Sequence, residues 1–307
     1  MSENPLELSD RLYGPWEVSI ESWSHLQEEM NRLTSRYDNR VLVWRGARRA
    51  EWGVMSSLYR ELVEALGRPP KEDEMVSAER RILDLARSRW RFDHLPALEI
   101  LAHLQHYGGP TRLLDVSFNP LIAAWFAVEQ RSADDRADGR LFAFMTAGTD
   151  VRLGAYWYGR SPRWHQQEYR TDAGRLAHGW GSGTRRRLWR PPAFNERISA
   201  QNAAFLIDGV PLTDSELDGP RVALGTRSRW QLEELKKISS INFRLEAIRE
   251  GDLPSDLAPV FTFRLLASAK AEIRDQLERR HGFDVASVYS DMSGLASYLA
   301  THPEVLV

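Results

Sequence analysis

The chain has 307 residues, room for one large domain or two ordinary ones, with 27% charged and 42% hydrophobic residues as in ordinary soluble globular proteins. Its formal net charge of -2 favours no class of partner, and the absence of cysteine excludes disulfides and thiolate chemistry and fits a reducing compartment. No apolar run approaches the roughly 20 residues of a membrane span. The polar, acidic start "MSENPLELSD" does not read as a signal peptide, so a cytoplasmic protein without membrane contact is expected.

Trp23, Leu26, Met30 and Leu33 fall on one face at helical spacing and predict a helix over 22–36. After a turn at Asp38 and Asn39, residues 41–46 predict a short, mostly buried strand that ends on Arg45 and Gly46. Met75, Ala78, Ile82 and Leu85 predict an amphipathic helix over 72–89. A third helix starts at Pro96 and runs to about Tyr107, with Gly108 and Gly109 as its stop. Asn119 as N-cap and Pro120 at the first helical position open a helix that reaches residue 130. Further strands are expected at 140–147, at about 201–207 and at 259–266. Helices are expected at 230–238, from a Ser268 cap to about Arg280, and from Asp291 onward. Strands and helices mix without regular alternation, so the predicted fold class is α+β, a mixed sheet core flanked by helices.

Three segments carry chemistry. In "WRG" an arginine follows a buried strand, where loops emerge and ligands bind. Arg45 suits a phosphate or carboxylate, because its planar fork makes paired hydrogen bonds, and Gly46 lets backbone approach closely. A structural ion pair is the other reading. In "LQHYGGPTRLLD" a helix ends, Gly108, Gly109 and Pro110 force a turn, and Thr111 to Asp115 resume an extended run. His106 suits hydrogen bonding or acid/base work, Tyr107 can stack on a flat ligand, and Asp115 can hold His106, Arg112 or a ribose hydroxyl. The alternative is a helix C-cap followed by a buried Arg112–Asp115 bridge. His103 and His106 stand three residues apart without an obvious third ligand, so no metal is expected. In "NERISAQNAAFLI", Gln201 stands at the mouth of an apolar strand, just after Glu196 and Arg197, where an amide can bond a sugar hydroxyl.

Taken together, these segments resemble the FRG-domain family, named for an aromatic-Arg-Gly triplet, here Trp44, Arg45 and Gly46. The resemblance continues through Trp52, Leu58 and Arg60 and is strongest in "LQHYGGPTRLLDVSFNPLIAAWFA". It goes on in "RISAQNAAFLI", "ASAKAEIRDQLERRHGF" and "VYSDMSGLASYL", covering roughly residues 15–300 as a single domain. That family is frequent in bacteria and phage-related loci, and its layout resembles ADP-ribosyltransferases. The resemblance implies NAD as substrate, with Arg45, His106 and Gln201 in catalytic positions and Trp44, Gly46, Tyr107, Thr111, Asp115 and Asn119 around the nucleotide. It implies a toxin or anti-phage effector, held by an inhibitor or defence-system partner protein. One departure stands out: active transferases usually carry glutamate where this chain has Gln201, and an amide positions a ribose but cannot act as a base. A non-catalytic nucleotide- or nucleic-acid-binding module is therefore the competing reading.

The segment 148–193 breaks the pattern and reads as an insertion. Between 152 and 190 nine arginines face only Glu168 and Asp172, with seven aromatics interleaved, among them Tyr156, Trp157 and Tyr158. Arginine meets phosphate and rings stack on bases, so Arg185, Arg186, Arg187, Trp180 and Trp189 are expected to bind nucleic acid. The other reading is a basic flap folded back on the acidic body.

Overall fold

The computed structural model describes residues 5–131, 133–146, 151–153, 159–192, 196–213, 215–216, 229–248, 258–302 and 305. The N-terminal part runs α1 (Pro5–Tyr13), β1 (Val18–Ile20), α2 (Trp23–Arg36), β2 (Leu42–Ala47), α3 (Ser57–Leu66), α4 (Glu72–Ser88) and α5 (Ala97–His106). Then follow β3 (Leu114–Ser117), α6 (Pro120–Val128), β4 (Gly139–Met145), β5 (Val151–Arg152), α7 (Asp172–His178), β6 (Arg187–Trp189), α8 (Glu196–Ala200) and β7 (Ala203–Ile207). The chain continues through a small β8 (Ser215–Glu216) and β9 (Arg229–Trp230) hairpin, α9 (Leu232–Ile238), β10 (Val260–Leu265), α10 (Ala267–His281), α11 (Val285–Val288) and α12 (Met292–Thr301). Local chemistry sets the ends: Ser22, Asn119 and Asp291 cap their helices by accepting the N–H of His25, Leu121 and Gly294. α10 departs from the sequence reading, since Leu266 rather than Ser268 precedes it, and the Ala267 N–H is held by Asp138 Oδ1 at 2.8 Å.

The main sheet has eight strands in the order β1-β10-β4-β2-β3-β7-β6-β5. β1 pairs with β10 and β5 with β6 in parallel, and the other neighbours are antiparallel, so the fold is α+β as expected. Side chains alternate across the strands and separate the core by face. Trp44, Leu141, Ala143 and Phe263 pack under α2, α6 and α10. Val43, Val116, Phe142, Phe144 and Leu206 pack on the opposite face with α1 and the segment around α9. A third cluster joins α4 and α5 to Phe205, Ile207 and the rings of Trp164, Trp180 and Trp189.

Gly46 has a structural reason to be glycine. A Cβ there would lie 1.9 Å from the Ala123 carbonyl oxygen and 2.7 Å from the Ala127 nitrogen, so α6 packs directly on the β2 backbone. The close approach is helix on strand, not ligand on loop. Gly46→Ala is expected to destabilise the protein by about 2 kcal/mol, because the obstructing atoms are backbone and cannot rotate away. Chemical denaturation reads this, and an unchanged midpoint would mean α6 sits farther from β2.

The buried face of α4 is wider than the expected stripe: Met75 is buried with Ala78 and Ile82 packed beside it, but Glu72, Val76, Glu79, Leu83 and Ala86 also face inward, while Leu85 is half exposed. Two carboxylates therefore lie on the inner face, and Arg112 is the reason. Arg112, 2% exposed, donates to Glu79 Oε1 and Oε2 (2.6 and 3.0 Å) and to Glu72 Oε1 (2.8 Å). Its guanidinium also lies over the rings of Trp164 and Trp180. The Arg112–Asp115 bridge does not form, since three residues along an extended run put the two side chains on opposite sides.

The basic segment around residues 159–192 joins this network. Glu79 Oε2 also accepts from Trp164 Nε1 (2.9 Å) and lies 3.0 Å from His165 Nε2. Burial opposes the Glu79 carboxylate, but Arg112 and His165 outweigh it and hold its pKa at about 2. Asp208 is buried beside Arg187 and accepts the Gly181 and Gly209 N–H groups, yet burial still pushes its pKa up to about 6. The nucleic-acid expectation for these residues is corrected. Trp180 and Trp189 are fully buried, and Arg186 and Arg187 are 8% and 2% exposed. Arg186 donates to the Met145 and Ala258 carbonyls, and Arg187 to the His178 carbonyl. Of that set Arg185 alone is exposed. The rings and guanidiniums satisfy one another and the buried carboxylates, so they present no stacking surface. Tyr156, Trp157 and Tyr158 lie outside the described residues.

Candidate functional site

The sheet opens between β2 and β3. β2 pairs with β4 along its whole length but with β3 at one register position, Trp44 opposite Ser117. Beyond it the two strands diverge. Arg45 bridges the gap: its Nη1 donates to the Asp115 carbonyl at 2.7 Å and lies 3.9 Å from Asp115 Oδ2. Above the gap a cavity of about 210 Å3 lies between α5 and α6, walled by Arg45, Gln105, His106, Arg197, Gln201 and Phe126. Trp44, Gly46, Asp115, Ser117 and Phe205 complete its floor and sides.

Each polar wall has a defined partner. Burial pulls the Arg45 guanidinium below its ordinary pKa; Asp115 opposes that and Arg60 adds to it, so its charge is incompletely matched within the protein. A chain of hydrogen bonds orients Asp115: Gln105 Nε2 donates to Asp115 Oδ2 (2.6 Å), and Thr111 Oγ1 donates to Gln105 Oε1 (2.6 Å). His106 Nε2 lies 2.6 Å from Asp291 Oδ2, at the N-terminus of α12. Burial, and then Arg197, lower the His106 pKa from its ordinary value while Asp291 opposes them, so the ring is neutral at pH 7. Gln201 Nε2 donates to the Val288 carbonyl (3.1 Å), and its own carbonyl accepts Ser117 Oγ (2.6 Å). Arg197 lies over the Tyr289 ring at 4.6 Å and reaches the His106 carbonyl at 3.5 Å.

Of the residues expected from sequence, Arg45, His106, Gln201, Trp44, Gly46 and Asp115 do converge on this cavity. Trp44 contributes mainly to the core, being 2% exposed and stacked on Phe263. Three expectations are corrected. Tyr107 is 70% exposed and points away from the cavity lining, its ring edge against His106. Thr111 is fully buried and serves Gln105 and the Leu113 N–H rather than a ligand. Asn119 uses its side chain to cap α6, and that helix meets the cavity through Ala123 and Phe126 on its flank, not through its N-terminus. Gln105, Ser117 and the 288–291 segment that holds Gln201, Arg197 and His106 from behind were not read from sequence as parts of the site. Gln105 carried a signal, two residues before the turn that presents Asp115. The 288–291 segment carried none, because only the tertiary fold brings it there. Among the described residues no group of three or more His, Asp or Glu side chains could hold a metal ion, and no helix is long and apolar enough to cross a membrane.

A model of the FRG domain matches residues 40–136. No curated protein and no solved structure matches the chain. The matched stretch contains the triplet at β2, α5, β3 and the α6 helix, which together form the floor and two walls of the cavity. Arg197, Gln201 and the 288–291 segment behind them come from outside it. Over residues 40–136, about a third of its length, this chain is similar to the FRG domain family.

Proposed function

We propose that the cavity binds a nucleotide, with NAD as the substrate, and that the protein is an ADP-ribosyltransferase-like enzyme cleaving the nicotinamide–ribose bond. The observation that carries this reading is the convergence of Arg45, His106, Arg197 and Gln201 on one cavity where two strands part. A volume of about 210 Å3 suits a nucleoside-sized group and leaves a pyrophosphate at the mouth, within reach of the arginine forks. Gln201 donates its Nε2 to Val288 and keeps its Oε1 for a ribose hydroxyl. Neutral His106, steadied by Asp291, is the group suited to take a proton from an acceptor. A role as a toxin or anti-phage effector, with a partner protein holding it inactive, follows from the same reading.

The second reading is binding without turnover. It is favoured by one observation: the one carboxylate among the cavity walls, Asp115, is already engaged by Gln105 and Arg45, and an amide stands at 201. Incubation of the purified protein with isotope-labelled NAD, alone and with cell lysate, separates the two. Nicotinamide release with transfer of label supports the transferase; NAD binding with neither release nor transfer supports the binding module.

Asp291→Asn provides a finer check. Asparagine keeps the α12 cap but removes the charge that favours protonated His106. The His106 pKa then falls further, so the acid limb of the rate profile is expected to move to lower pH. A limb that stays in place would remove His106 as the proton acceptor.

A further inference from the structure

The turn that joins α4 to α5 carries a conformation that arginine seldom adopts. α4 ends at Ser88, and the Phe92 N–H closes back on the Ala86 carbonyl at 3.2 Å. The closure is one residue longer than the usual glycine-ended one, and the residue before its donor takes the left-handed conformation that glycine adopts most readily. Here that residue is Arg91, at φ 62°. The left-handed region costs a residue with a Cβ about 1–2 kcal/mol. The turn holds its rings outward: Trp90 is 62% exposed and Phe92 42%, with Leu85 exposed on the last turns of α4. Strain of this kind is retained where surroundings or function require it.

Arginines surround these rings. Arg81, Arg89 and Arg91 are exposed and, among the described residues, make no ion pair. Arg87 Nη2 donates to the Arg160 carbonyl (2.6 Å), and Arg160 Nη1 to the Asp93 carbonyl (3.3 Å), so both guanidiniums end on backbone rather than on carboxylates. Burial, and then the nearby Arg160, lower the Arg87 pKa, while Asp84 opposes them. Between 80 and 94 the acidic residues are Asp84 and Asp93, against five arginines. The turn precedes the N-terminal end of α5, whereas the cavity is lined by Ala102, Gln105 and His106 farther along that helix.

We propose that this turn is a binding site for single-stranded nucleic acid, with Trp90 and Phe92 stacking on bases and Arg87, Arg89, Arg91 and Arg160 meeting phosphates. Every base has a face on which a ring can stack, and a guanidinium fork matches a phosphate. Paired bases in a duplex hide those faces. A membrane surface fits less well, because the apolar side chains are few and interleaved with cations in a turn, not gathered on one helix face. The inference does not rest on the chemistry of the cavity.

Fluorescence anisotropy of a labelled single strand of about 12 nucleotides, titrated with the full chain at about 50 mM and about 200 mM salt, tests it. Binding is expected at the lower salt and should weaken about 10-fold or more at the higher. Trp90→Ala should weaken it about 5- to 100-fold. Arg89→Ser with Arg91→Ser should reduce the slope of log affinity against log salt by about 1.4. The melting temperature of Trp90→Ala should stay near that of the wild type, which separates lost contact from lost fold. The proposal is overturned by no binding at the lower salt, or by binding that these variants leave unchanged. It is also overturned by equal affinity for a blunt duplex, or by co-sedimentation with anionic vesicles without strand binding.

Discussion

Arg112→Ala is expected to cost about 3–5 kcal/mol of stability, the usual penalty for leaving buried charge without its partner. Arg112 is the common neighbour of Glu72 and Glu79 on α4 and of the Trp164 and Trp180 rings. Without it, two carboxylates remain on the inner face of a packed helix. Arg112→Met preserves much of the volume and should still lose most of this stability, since the missing quantity is charge. Urea denaturation followed by tryptophan fluorescence reads both variants. The pH dependence has a definite sign. The Glu79 carboxyl is held at about 2 against an ordinary 4.5, so it contributes stability above pH 4.5 that is lost as pH falls through 2. In Arg112→Ala that acid loss should shrink, because the main group favouring the carboxylate is gone. A variant with wild-type stability and an unchanged acid limb would show that the network holds without its arginine.

Arg45→Ala should leave the fold intact and weaken nucleotide binding by about 2–3 kcal/mol, about 30- to 150-fold in affinity. Its guanidinium spans the place where β2 and β3 part, makes one bond to the Asp115 carbonyl, and carries charge that Asp115 only partly offsets. Arg45→Lys should recover little, because a single ammonium cannot hold the carbonyl and fork onto a phosphate together. Calorimetric titration with ADP-ribose, which lacks the scissile bond, measures binding apart from turnover. Equal affinity in wild type and Arg45→Ala would remove the phosphate role and leave Arg45 as a strut between two strands.

Much of this protein was legible in its residues. Periodicity at Trp23, Leu26, Met30 and Leu33, the Asn119–Pro120 helix start and the Asp291 cap each produced the expected element, because such signals act within one or two turns of chain. The triplet at β2 and the segment from His106 to Phe126, singled out from sequence, also supply residues that line the cavity. The tertiary structure alone decided which polar residues face a ligand and which face the core. Periodicity ranks Leu85 as inner and Glu79 as outer, and the reverse holds because Arg112 arrives from another part of the chain. Composition reads Trp180, Trp189, Arg186 and Arg187 as a surface, yet they are buried: the Met145 and Ala258 carbonyls hold Arg186, and the His178 carbonyl and Asp208 hold Arg187. The His106–Asp291 and Gln201–Val288 contacts join residues far apart along the chain, and no local pattern encodes such a meeting. Local physics names the elements and their ends, whereas the pairing of buried charge is a property of the assembled fold.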